Sequence, residues 1–134
     1  MEITGGCLCK AVRYTVRAAP MVTRTCWCRV CQYIGAGSAT VNTCFPSAAL
    51  TVTGELRDYR LTADSGNVAH RRFCPVCGTT MFSRRDSRNI LGVTSGSLDD
   101  PSLFKPDMHF WTASKQPWLM LDDGLPQYEG APPA

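Results

Sequence analysis

The sequence predicts a mainly β domain built from short antiparallel strands with few short helices. Residues 11–17 alternate strictly, placing Val12, Tyr14 and Val16 on one face of a half-buried strand. Apolar and β-branched runs stay short and recur between turn signals such as Gly54, Asp64-Ser65-Gly66-Asn67 and Arg85-Asp86-Ser87. Helical periodicity is nearly absent, and no heptad or internal repeat is present. A mixed α+β fold with two small helices is the nearest competitor.

Taken in order, Thr4-Gly5-Gly6 predicts a tight turn ahead of Cys7. The strand at 11–17 ends at Ala18-Ala19-Pro20, and residues 22–25 predict a second strand leading into Cys26. Residues 32–38 read as a brief helix or turn broken by Gly35 and Gly37. A β-rich run over 39–45 is stopped by Pro46. Further strands are predicted over 50–53, 58–62, 68–73, 79–83 and 89–95, with a last one over 108–113.

The 134 residues suit one domain, placed at 1–128 with a loose tail over 129–134, and a chain of this length buries roughly two thirds of its unfolded surface. Hydrophobic residues make up 44% and charged residues 19%, which excludes a disordered chain. A net charge of +3 can attract an anionic small molecule but is too small for a nucleic-acid-binding domain, so nucleic acid is not expected as a partner. No apolar run approaches the ~20 residues that span a bilayer, so no membrane partner is expected. The N-terminus lacks a basic stretch followed by an apolar one, so no signal peptide is expected and a cytoplasmic location is.

Eight cysteines carry the chemistry. They stand as Cys7-x-Cys9, Cys26-x-Cys28-x-x-Cys31, a solitary Cys44 and Cys74-x-x-Cys77. Thiols one or two residues apart can turn their sulfurs to a common ion, and zinc is the usual one. Four disulfides of an extracellular module are the alternative, disfavoured by the missing signal and the odd group of three. Joining Cys7 and Cys9 to Cys74 and Cys77 makes a closed four-thiolate structural site that clips segments roughly 65 residues apart. Cys26, Cys28 and Cys31 are then left with three ligands and a vacancy, the pattern of a catalytic zinc site. Such a zinc suits a soft fourth ligand such as a substrate thiolate. A second structural site completed by Cys44 or a histidine remains open at this point, as does the pairing of one two-cysteine group with part of the triplet. In the Cys74-Pro75-Val76-Cys77-Gly78 knuckle, Gly78 is expected at positive φ.

Arg24 and Arg29 flank the triplet and can lower its thiol pKa values, although each taken singly reads as a solvated arginine. Arg71-Arg72 and Arg84-Arg85 are basic pairs of the kind most often solvated, though one of them can hold a carboxylate. His70 reads as a satisfied structural residue. His109, between Met108 and Phe110-Trp111, reads as a core histidine or as a proton carrier beside the metal.

Several stretches together resemble the glutathione-dependent formaldehyde-activating enzyme family, also called the centromere protein V/GFA domain. They are Gly6-Cys7-Leu8-Cys9, Ala11-Val12-Arg13-Tyr14, the triplet, the knuckle, Gly96-Ser97-Leu98-Asp99-Asp100-Pro101 and Asp122-Asp123-Gly124-Leu125-Pro126. The resemblance implies a β-tent zinc-binding fold. It implies structural zinc ligands at Cys7, Cys9, Cys74 and Cys77, and catalytic zinc ligands at Cys26, Cys28 and Cys31. It implies a carbon–sulfur lyase acting on a small-molecule thiol adduct of the glutathione type, as in making and breaking S-(hydroxymethyl)glutathione. Trp27 stands where members often have histidine, offering an aromatic wall, and Lys10 stands where glycine is common. A non-catalytic zinc module engaging protein or nucleic acid, and a thiol or metal sensor, are the other readings.

Overall fold

The computed structural model describes residues 1–63, 65–103 and 105–131. Asp64 of the predicted hairpin turn and residues 132–134 of the predicted tail lie outside the described residues. The strand predicted at 11–17 is β2 (Arg13–Val16), lying between β1 (Ile3–Gly6) and β5 (Leu50–Thr53) in a three-stranded antiparallel sheet. Its alternation works as predicted: Val12, Tyr14 and Val16 are buried, while Arg13 and Thr15 are half exposed. The predicted turn at Gly5-Gly6 is instead the extended end of β1. Gly5 is there for close approach, because a Cβ on it would lie 2.3 Å from the Tyr14 hydroxyl. That hydroxyl sits 2.7 Å from Ser97 Oγ, so the buried phenol is satisfied.

Seven strands form the second sheet: β3 (Val22–Cys26), β4 (Thr40–Pro46), β6 (Arg57–Thr62), β7 (Val68–Phe73), β8 (Thr80–Arg85), β9 (Ile90–Thr94) and β10 (Met108–Phe110). Their order is β10-β3-β4-β9-β8-β7-β6. All pairs are antiparallel except β10 with β3, which is parallel. The 3-10 turns Ser95–Ser97 and Pro101–Leu103 follow β9 on the way to that parallel edge, which an all-antiparallel expectation missed. The last strand also stops earlier than predicted, because Trp111 takes a left-handed conformation (φ 57°) and no strand continues through it. Beyond it, Trp111 and Ala113 N–H donate to the Gly130 and Glu129 carbonyls.

The single α-helix among the described residues, α1 (Arg29–Ile34), begins inside the cysteine triplet, ahead of the predicted 32–38. Cys28 caps it, its sulfur accepting the Cys31 N–H at 3.3 Å. A thiol taking the position usually held by Ser, Thr, Asn or Asp hides the start of the helix from a sequence reading.

The register gives the large sheet two unlike faces. Phe45 opposes Leu91, and Phe82 opposes Val93. These residues pack with Val12, Tyr14 and Val16 into the core, where the Tyr14 and Phe82 rings meet edge-on at 5.0 Å. The intervening positions point the other way and line a cleft. Truncating Phe82 to alanine would cost roughly 3–5 kcal/mol. Among the described residues, no helix is long and apolar enough to cross a membrane.

At the far edge of this sheet His70 of β7 bridges Asp58 of β6 and Asp86 beyond β8, with both ring nitrogens 2.7 Å from carboxylate oxygens. Asp58 first, and then Asp86, raise the His70 pKa above its ordinary 6.5. A pKa raised by folding means the contribution to stability is complete below pH 6.5 and is lost as pH rises through the folded-state value. We therefore expect His70→Gln to lower the urea midpoint most at mildly acidic pH, with the gap to wild type closing towards alkaline pH. A gap that does not vary with pH would show that the clamp is not electrostatic.

Candidate metal centres

Two groups of cysteines converge. The sulfurs of Cys7, Cys9, Cys74 and Cys77 all lie within 4.8 Å of one another, and so do those of Cys26, Cys28 and Cys31. Cys44 belongs to neither group and is buried, and all eight cysteines are free thiols. The pairing reached by ligand counting is therefore the one the fold makes, and each group has a donor set that can hold a metal ion.

The four-cysteine group joins the end of β1 to the loop between β7 and β8. Cys9 Sγ lies 3.5 Å from Cys7 Sγ and 3.7 Å from Cys74 Sγ. Backbone amides already point at the sulfurs: Val12 N–H donates to Cys7 at 3.2 Å and Val76 N–H to Cys74 at 3.4 Å. The Thr79 hydroxyl, 3.2 Å from Cys77 Sγ, and then the Thr79 amide hold that thiol down to about 5. Donors arranged in this way stabilise thiolates before any cation arrives. Gly78 has φ 77°, as the knuckle predicts. Lys10 has φ 68°, so the position after Cys9 is left-handed and is filled here by a residue with a Cβ.

The three-cysteine group sits where β3 runs into α1. Cys26 is the last residue of β3, Cys28 caps the helix and Cys31 lies in its first turn. All three are buried, with Phe110, Trp111 and Tyr128 packed around them. Gln32 anchors the helix, its Nε2 donating to the Trp27 carbonyl at 2.8 Å and to the Ser114 carbonyl at 2.7 Å. Hydrogen bonds from Cys26 and Cys28 hold the Cys31 thiol down to about 3 against its burial, with further help from Thr40 and Arg71. The same interactions push Cys26 well above its ordinary value, with Cys28 the larger influence. Ionising one thiol thus opposes ionising the next, and a divalent cation would allow all three to ionise together.

The triplet opens onto a cleft whose free space, counting that continuous with solvent, is about 800 Å³. Alternate residues of five strands line it. Arg24 of β3 stands beside Asn42 of β4, and in the adjoining row Cys44 of β4, Gly92 of β9, Ser83 of β8 and Arg71 of β7 stand side by side. Sequence reading missed these rows. Arg71 and Arg85 face the cleft, and the signal that finds them is the period of two combined with strand register. Arg29 points elsewhere, bonding Gln32 Oε1 at 2.6 Å and lying over the Tyr33 ring.

Trp27 does not form the expected wall of the cleft. Phe110 and Trp111 are the aromatic residues there. Trp27 is buried behind the triplet, its indole N–H donating to His109 Nδ1 at 3.1 Å. His109 Nε2 lies 2.6 Å from Asp123 Oδ2. The indole can only donate, so Nδ1 accepts and Nε2 carries the proton given to the carboxylate. His109 in turn holds Asp123 below the usual carboxylate range, with the Leu125 amide adding to it. His109 lies outside the cleft lining, with both ring nitrogens engaged.

The strained position in the first centre is directly testable. Lys10→Gly removes a Cβ from a left-handed residue and should raise the unfolding free energy by about 1 kcal/mol, read as a higher urea midpoint at fixed metal loading. An unchanged or lowered midpoint would show that Lys10 is not strained.

Comparison with known proteins agrees with this geometry. A crystal structure of a Rhodobacter sphaeroides protein is similar over 93% of this chain and 98% of that one, with a TM-score of 0.60 and 21% identity, which establishes a shared fold. No curated protein sequence matches the chain. The sequence pattern described as "glutathione-dependent formaldehyde-activating enzyme" matches residues 2–114, a span containing every cysteine of both centres. By that match, the chain belongs to the glutathione-dependent formaldehyde-activating enzyme family.

Proposed function

We propose that this protein is a zinc-dependent carbon–sulfur lyase acting on S-hydroxymethyl adducts of glutathione or a related thiol. The observation that carries the reading is the unlike setting of the two centres. The three-cysteine group lines the cleft, whereas none of the four-cysteine group does. Cys7, Cys9, Cys74 and Cys77 would hold a structural zinc, and Cys26, Cys28 and Cys31 a working one. Zinc at the triplet supplies a soft Lewis acid that eases departure of a thiolate.

In the cleavage direction the carbon–sulfur bond breaks with its electron pair going to sulfur. The hydroxyl oxygen loses its proton to water at the mouth of the cleft, and formaldehyde and thiolate separate. The reverse sequence joins them. Arg71, whose Nη2 is 4.0 Å from Cys31 Sγ, offsets the negative charge of the triplet. Phe110 and Trp111 keep water from its apolar side. His109 serves as a positioning residue, holding Trp27 and so the turn that carries Cys26 and Cys28. We assign the activity to the cytoplasm, where eight free cysteines stay reduced.

Cys77→Ser is expected to collapse the soluble yield, because a closed metal site contributes folding energy. Cys28→Ser should give a folded protein with one zinc instead of two. Its thiol–formaldehyde exchange should fall by a factor of about 100 or more. Zinc content, circular dichroism and exchange rate measured on the same samples decide this. Unfolding of Cys28→Ser as severe as that of Cys77→Ser would make the triplet structural, and two zincs without exchange would refute the lyase.

His109→Gln should lower stability by about 1–3 kcal/mol, since it breaks the bridge from Trp27 to Asp123. The shape of its pH–rate profile should match wild type. Loss of one limb of that profile would restore His109 as the proton carrier.

A further inference from the structure

The charged side chains among the described cleft-lining residues are all arginines: Arg24, Arg71, Arg84, Arg85 and Arg88. They come from three separate places in the chain, and the register of the sheet turns Arg24, Arg71 and Arg85 to one face. These three are half-buried, whereas Arg84 and Arg88 are exposed. Arg24 Nε is fully buried and has no hydrogen-bond partner among the described residues. The guanidinium lies 5.8 Å from the Phe110 ring centroid, next to the triplet. Arg85 is pushed down by burial and then by the positive charges of Arg88, Arg24 and Arg71. Gathering half-buried cations costs free energy unless an anion joins them, and a buried guanidinium N–H lacking an acceptor adds to that cost.

We propose that Arg24 and Arg85 form an anion subsite in the cleft beside the triplet. It would receive a carboxylate or phosphate of the thiol adduct, with Arg84 and Arg88 drawing the anion in from the rim. The proposal rests on the lyase reading for what the ligand is, and deepens it by naming which adducts are preferred. Thiols bearing an acidic group are bound, and neutral thiols of similar size are poorly held. An ammonium placed beside Arg24 or Arg85 meets like charge. A glutathione-type thiol therefore presents a carboxylate to the subsite and keeps its ammonium away, and masking its amino group should improve binding.

The chemistry at the subsite is recognition alone. The planar fork of a guanidinium matches two oxygens of a carboxylate or phosphate, so each arginine can make a paired, charge-assisted interaction. Removing one such interaction weakens binding about tenfold or more.

Calorimetry with two sulfur-free probes, glutarate and inorganic phosphate, tests the subsite on zinc-loaded wild type, Arg24→Met, Arg85→Met, Arg85→Lys and Cys28→Ser. Wild type should bind at least one probe, more weakly as salt rises, and the tighter probe identifies the anion. Arg24→Met and Arg85→Met should each weaken binding about tenfold or more with zinc content and melting temperature unchanged, and Arg85→Lys should retain part of the affinity. Cys28→Ser should still bind the probe, which supports the subsite even if no carbon–sulfur activity is found. In exchange assays, KM should rise from N-acetylglutathione to glutathione to 2-mercaptoethanol, and the spread should shrink in both methionine variants. Exchange that treats acidic and neutral thiols alike would overturn the subsite while leaving the lyase intact. So would probe binding that is absent, or equal in wild type and both methionine variants.

Discussion

A strand turns successive side chains to opposite sides, and the seven-stranded sheet uses this to place core and cleft back to back. In β4, Thr43 and Phe45 enter the interior, while Asn42 and Cys44 line the cleft. In β9, Leu91 and Val93 do the first and Ile90 and Gly92 the second. A slip of one residue between any two strands would exchange the two sets, burying arginine and exposing Phe82 and Val93. The apolar face is held by its packing on β2, so the register that stabilises the fold also assembles the rows of cleft residues.

Cysteine grouping was legible in the sequence because metal-ligand spacing is local. Two thiols separated by one or two residues are already neighbours, and ligand counting joined Cys7/Cys9 to Cys74/Cys77, a pairing the fold makes. Strand positions were legible for a similar reason, since β2, β5 and β7 follow from alternation and flanking turn residues. Three features escaped. The start of α1 depends on a thiol acting as a helix cap. The parallel pairing of β10 with β3 depends on a crossover with no pattern of its own. The facing of Arg71 and Arg85 depends on which residues of other strands stand beside them, since a basic pair read in isolation always looks solvated.

The chain from Trp27 to Asp123 shows how a substitution near a site can act through support. Trp27 stands between two cysteines of the triplet, and its indole is turned away from the cleft towards His109, to which it donates. His109 is further fixed by the backbone, its N–H donating to Pro126 O and its carbonyl accepting from Tyr128. The segment around residues 123–128 is thereby tied to the turn carrying Cys26 and Cys28, although some 100 residues separate them along the chain. A side chain at position 27 that could not donate would leave His109 Nδ1 buried and unpaired, a cost of about 1–3 kcal/mol borne by the triplet's own foundation.

Charge explains why the triplet and the arginines belong on the same face. Three thiolates around a dication leave one net negative charge in a buried position, and an isolated charge there is costly. Three half-buried guanidiniums facing one cleft are costly for the opposite reason. Placed together they offset each other in part, as the approach of Arg71 to Cys31 illustrates. The offset is incomplete, because one negative centre cannot satisfy five cations distributed over three chain segments. The remaining positive potential extends from the metal position towards Arg85 and the rim. An anionic thiol with its sulfur at the triplet, as proposed, would therefore lie in a favourable field along its length. Water and salt reach Arg84 and Arg88 at the exposed rim, so the field is screened there, and under the proposed lyase reading a departing thiolate would not be trapped on its way out.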